Sequence, residues 1–80
     1  MWTEKNNDLH RVFKLKNFTQ AFAFMTEVAF AAEKQNHHPN WSNVYNTVDI
    51  KLNTHDKGDI VTEKDHALAK AIDAIFEHYA

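Results

Sequence analysis

The sequence predicts an α+β two-layer sandwich, and three observations carry that expectation. Two segments, Phe18 to Gln35 and Thr62 to near the C-terminus, repeat apolar residues at helical spacing. Other segments, clearest in Val44 to Thr54, alternate apolar and polar residues as a half-buried strand does. With one Gly and one Pro in 80 residues the chain has little punctuation, so nearly all of it belongs to regular elements of one domain, residues 1–80.

Trp2 to Lys5 reads as a short edge strand, followed by the turn cluster Asn6-Asn7-Asp8. Leu9 to Leu15 is an imperfect strand, with Leu9, Arg11, Phe13 and Leu15 on one side and His10, Val12 and Lys14 on the other. The two pair as a hairpin. Asn17 is the N-cap of the first helix, with Gln20 as a weak capping-box partner. Along Phe18 to Gln35, the residues Phe18, Ala21, Phe22, Met25, Val28, Ala29 and Ala32 form one apolar stripe; Ala23, Phe24, Phe30 and Ala31 lie largely off it. A helix apolar on more than one face is buried on more than one face, and in so small a domain the second cover is another subunit. Pro39 disfavours helical backbone at His38 and ends the segment.

Val44 to Thr54 is then the clearest strand, with Val48, Ile50 and Leu52 facing inward; Trp41 to Tyr45 is either a separate short strand or its entry. His55 to Asp59 is a loop. Thr62 caps the second helix, with Asp65 at its third position, and Leu68, Ala71, Ile72, Ile75 and Phe76 recur at helical spacing. Asp65 reads as a helix-start residue in preference to a catalytic acid. The order is strand, strand, helix, one or two strands, helix.

Composition excludes several function classes. With no cysteine there are no disulfides and no thiolate metal sites. Nine Lys+Arg against eleven Asp+Glu leave a formal charge of −2, which gives no electrostatic basis for direct binding of nucleic acid or anionic membrane. No apolar run is long enough to span a bilayer, and the polar start M-W-T-E-K-N-N-D is not a signal peptide. A soluble cytoplasmic protein is the expectation.

The six histidines are the chemical signal. His37 and His38 follow the first helix, Glu33 precedes His37 by four residues, and His55 follows the main strand. Three readings compete. Histidines at a helix C-terminus interact favourably with its dipole. Three imidazoles could bind zinc with an open position, although adjacent residues rarely ligate one ion and no H-E-x-x-H spacing is present. As acid–base groups they could give one proton and accept another near neutral pH. No serine or cysteine nucleophile is evident. His10 and His66 read as surface residues and His78 as part of a last turn; Trp41 and Tyr45 read as core or cleft wall.

The stretch E-K-Q-N-H-H-P-N-W-S-N-V-Y-N-T-V, followed by T-H-D and T-E-K-D, closely resembles the pterin-4a-carbinolamine dehydratase family. The residues that carry the resemblance are Glu33, His37, His38, Pro39, Tyr45, His55 and Asp65, and the earlier F-T-Q-A-F-A-F-M matches the family's F-x-x-A-x-x-F-M. It runs from about residue 2 to 76.

The resemblance implies a four-stranded antiparallel sheet with helices on one face, in the order β-β-α-β-β-α. It implies a homodimer or homotetramer built through the long helix 18–35. It implies a hydro-lyase that dehydrates 4a-hydroxytetrahydropterin to quinonoid dihydropterin, recycling the pterin cofactor of aromatic amino acid hydroxylases, with no metal and no cofactor of its own. His37, His38 and His55 would be catalytic, with His38 nearest the 4a-hydroxyl. Glu33 would orient His37 or contact the pterin. Asn36, Asn53 and Thr54 match positions lining the family's pterin site, and Pro39 and Trp41 would shape the cleft. Many members carry a further N-terminal helix, and some carry Asp in place of Asn36. Two rival functions remain open: a coactivator-like protein-binding module using the long helix face, and a pterin-binding protein of another pathway.

Overall fold

The computed structural model describes residues 1–80 as a four-stranded antiparallel sheet with two helices on one face. The strands are β1 (Thr3–Lys5), β2 (Asp8–Lys14), β3 (Asn40–Val44) and β4 (Thr47–Leu52); the helices are α1 (Phe18–Lys34) and α2 (Glu63–Phe76). Their order across the sheet is β1-β2-β4-β3. The central strands β2 and β4 pair antiparallel, Leu9 with Leu52 through Lys14 with Thr47.

Asn6 and Asn7 close the β1–β2 hairpin, both with positive φ (54° and 65°). Asparagine tolerates this left-handed backbone, which matches the twist of the flanking strands. Of the two readings of Trp41 to Tyr45, the separate short strand is the one observed, as β3, and the main strand begins at Thr47 in place of Val44. Val44 pairs with Thr47 across a two-residue turn at Tyr45-Asn46, with Tyr45 at φ 53°. The turn is fastened from outside: the Asn46 side chain donates to the Leu15 carbonyl at 3.0 Å, and Leu15 N–H donates to the Asn46 carbonyl at 2.8 Å.

Leu9, Phe13, Val48, Ile50 and Leu52 are buried on the helix side, against Ala21, Phe24, Val28 and Ala32 of α1 and Leu68, Ala69 and Ile72 of α2. Arg11 shares that side. Its guanidinium lies 4.4 Å from the Phe13 ring centroid and donates to Asp73, which also accepts from the Trp2 indole, so the charged head reaches the sheet rim while its stem covers apolar surface.

The inward stripe of α1 differs from the predicted one. Phe24 is fully buried, whereas Phe18 and Phe22 are 49% and 60% exposed. The helix is rotated toward Phe24 because three aromatic rings wait there: Phe13, Phe76 and Tyr79 lie with centroids 5.0, 5.7 and 5.9 Å away. Phe30 is also exposed, so α1 carries apolar side chains outside its own core. Tyr79 donates to Glu27 on α1, and that hydrogen bond, with desolvation and the carboxylate's charge, raises its pKa above the ordinary 10.0. No helix is long and apolar enough to cross a membrane.

Candidate active site

The end of α1 decides where the histidines go. Gln35 caps the helix and Asn36 takes left-handed backbone at φ 51°. Asn36 N–H donates to the Glu33 carbonyl and His37 N–H to the Ala32 carbonyl, both at 3.0 Å. These two bonds form a Schellman motif, which satisfies the last carbonyls while turning the chain away from the helix axis. On a continuing helix Glu33 and His37 would be neighbours. The reversal separates them, so Glu33 accepts from His38 Nε2 at 2.8 Å and His37 is carried inward.

His37 is 9% exposed, and its Nε2 lies 2.5 Å from Oδ1 of Asp65. Asp65 is fully buried. Its other oxygen, Oδ2, accepts from the Thr54 hydroxyl and from Thr62 N–H, both at 2.8 Å. The last bond completes the capping box that starts α2. One side chain therefore caps a helix and holds an imidazole. Because a carboxylate accepts, Nε2 of His37 carries the proton of this contact.

His55 begins a single 3₁₀ turn, His55–Lys57, after β4. Thr54 N–H bonds the Ile60 carbonyl, which closes the loop, and Gly58 at φ 87° makes the reversal in backbone that suits glycine. The His55 ring is exposed, with Nδ1 2.6 Å from the Asp59 carboxylate.

His37, His38 and His55 line one open cleft of about 340 Å³, together with Asn36, Asn53, Asp56 and Lys64. Its wall is wholly polar. Of the residues expected from the sequence, the structure brings together Asn36, His37, His38, Asn53 and His55, with Glu33 behind His38. Three others stand elsewhere. Thr54 is buried and turned toward Asp65 and Thr62. Trp41 pairs across from Ile50 on the helix side and packs against the core. Pro39 is half-buried behind the histidine pair and outside the cleft wall. Asn53 is partly committed, since its amide donates to Asp8.

Asp65, Asp56 and Lys64 were not among the expected site residues. In the sequence Asp65 reads as a helix cap and as one of the residues that carry the family resemblance; its contact with His37 spans 28 residues and is visible only in the fold. A larger cleft of about 450 Å³ between β1 and α2 contains none of the paired histidines. No group of three or more His, Asp or Glu side chains converges as a metal-ligand set.

The family profile described as pterin 4 alpha carbinolamine dehydratase matches residues 1–75. The chain belongs to this family. A relative from Christiangramia forsetii, whose name assigns it provisionally to the pterin-4-alpha-carbinolamine dehydratases, is 53% identical over 76 residues, 95% of this chain and 77% of the relative. One of the same name from Mesorhizobium japonicum is 60% identical over 68 residues, 85% of this chain and 68% of the relative. Among solved structures, a transcriptional coactivator/pterin dehydratase from Brucella melitensis superposes with a TM-score of 0.87 at 43% identity, covering 92% of this chain and 80% of that one. A pterin dehydratase-like protein, identified as a RuBisCO assembly factor in the alpha-carboxysome, gives 0.74 at 26% identity, covering 94% and 86%. The α+β fold of this pterin dehydratase family, expected from the resemblance, is the fold observed.

Proposed function

We propose that the protein dehydrates a 4a-hydroxytetrahydropterin to quinonoid dihydropterin and water by histidine acid–base catalysis. The observation that carries this reading is the convergence on one cleft of three imidazoles, each backed by its own carboxylate.

The reaction needs two proton movements. The C4a–O bond breaks with its electron pair on oxygen, and hydroxide leaves poorly, so a proton must reach that oxygen as it departs. The N5 lone pair forms the C4a=N5 bond, and a base then takes the N5 proton. One proton given and one taken leave the protein's proton count unchanged. His38 is the donor to the departing oxygen. His37 is the base: with Nε2 committed to Asp65, Nδ1 is free to receive the proton, and the carboxylate stabilises the imidazolium that forms. His55, the most exposed of the three, exchanges protons with water. The step would return the pterin cofactor of aromatic amino acid hydroxylases to its cycle.

The test is turnover of freshly generated 4a-hydroxytetrahydropterin, followed by absorbance. Because the His38 side chain is 60% exposed, His38→Ala should fold normally and lose roughly 10²–10⁴-fold in rate. A wild-type rate no faster than the uncatalysed background would overturn the proposal.

The exposed phenylalanines of α1 support association of copies through this helix as a dimer or tetramer. Phe22→Asp is expected to shift sedimentation toward the monomer; unchanged sedimentation would exclude this face. The same patch supports a second reading, in which a helical protein partner docks there, as the coactivator description of the Brucella relative suggests. A folded chain that binds such a helix and lacks turnover would favour it.

A further inference from the structure

The cleft of about 450 Å³ between β1 and α2 is built from two dissimilar walls. The helix wall is His66, Ala69, Lys70 and Asp73, which follow the i, i+3, i+4, i+7 spacing of one face of α2. The strand wall is Trp2 and Glu4, with Leu9 beside them. Glu4 pairs with Leu9 across the hairpin, so it shares the helix side of the sheet, and Trp2, two residues earlier, packs on that side too. The indole is fixed in place: Trp2 Nε1–H donates to Oδ1 of Asp73 at 2.8 Å, and Arg11 donates to the same oxygen at 2.8 Å. Glu4, His66 and Lys70 are exposed and form no ion pair.

We propose that this cleft is a second binding site, and that its ligand is an α-amino acid with a large apolar side chain. Three features select that class. Leu9 and Ala69, each 4% exposed, and the pinned indole of Trp2 offer apolar surface against which a side chain loses its water. On the helix wall Lys70 presents an ammonium, and His66 stands one turn before it, so that wall suits a carboxylate. On the other side Glu4 suits an ammonium, and Oδ2 of Asp73, which neither Trp2 nor Arg11 engages, is a further acceptor. A simple anion would meet two carboxylates in this cleft, and a simple cation would meet Lys70. An uncharged apolar molecule would desolvate charges of both signs and pair with neither. A zwitterion with an apolar side chain answers all three surfaces. None of His37, His38 and His55 lines the cleft, so the site is separate from the proposed dehydration and does not depend on it.

The probe is L-leucine, titrated while the indole N–H resonance of Trp2 is followed by NMR; Trp2→Phe identifies that resonance among the two tryptophans. So small a ligand in an open cleft should bind with a Kd on the order of 1 mM. Leucinamide lacks the carboxylate and isocaproate lacks the ammonium. The wild type should bind each of them roughly 10-fold more weakly than leucine, the low end for charge-assisted hydrogen bonds because the cleft is open to water. Lys70→Met should bring leucine down to the level of leucinamide and leave leucinamide unchanged. Glu4→Gln should bring leucine down to the level of isocaproate and leave isocaproate unchanged. Both replaced side chains are exposed, so both variants should fold. The assignment is overturned if leucine produces no saturable shift at Trp2, or if either variant weakens all three ligands alike or weakens none.

Discussion

Asp65→Ala is expected to lower unfolding free energy by about 3–5 kcal/mol, the range for removing one partner of a buried ion pair. The change strands two donors, the imidazole of His37 and the N–H of Thr62, and leaves the Thr54 hydroxyl only its bond to the Thr62 hydroxyl. It also removes half of the capping box of α2. Native proteins are stable by only about 5–15 kcal/mol, so the variant should lose a large share of its stability and unfold at a much lower urea concentration. Urea denaturation measures the loss, and a change below about 1 kcal/mol would mean that the pair contributes little. Asp65→Asn separates stability from chemistry. The amide keeps one acceptor for Thr54 and Thr62 but carries no charge to stabilise an imidazolium on His37. If His37 is the base, the folded Asn variant should still lose about 10²-fold or more in dehydration rate. A folded Asn variant with full activity would remove His37 from the base role.

Phe24→Ala is expected to cost about 3–5 kcal/mol, the range for deleting a buried aromatic ring from a core. Phe24 touches rings from β2, from α2 and from the residues after α2, so its removal opens a cavity where three segments meet. Phe22→Ala is the informative partner. Phe22 stands one turn-face away and is 60% exposed, so its loss should change monomer stability by no more than about 0.5 kcal/mol. If Phe22→Ala matters only at high protein concentration, the ring is buried between copies and not within one. Equal costs for the two variants at low concentration would contradict the orientation of α1.

That contrast also shows how much could be read in the sequence. The helical period located α1 to within one residue, but Phe18, Phe22 and Phe24 are chemically equivalent in a pattern. Only the positions of Phe13, Phe76 and Tyr79 decide which ring goes inward. The same holds for the strands. Val44 pairs with Thr47, so the two-residue turn moves the inward positions from odd numbers (Trp41, Asn43) to even ones (Val48, Ile50, Leu52), and Tyr45-Asn46 lacks the glycine that usually marks such a turn. The histidines at 37, 38 and 55 were conspicuous, and the motif around them identified the family. Their partners were less so. Glu33 looked like the neighbour of His37 until the left-handed Asn36 exchanged it for His38, and Asp65 met His37 only through the tertiary fold.

The Asp65 network has a consequence for motion. It ties the last residues of α1 to the first turn of α2 and to the loop after β4, all of them places where a lone element would fray. The cleft therefore has no rigid floor independent of its walls; it exists only while two helix ends remain closed at once. Breathing at either end dissolves the constellation while the ring cluster around Phe24 stays intact. A molecule bridging the histidines and the start of α2 acts as a splint across those ends, and the free energy of its binding is added to the stability of the closed state.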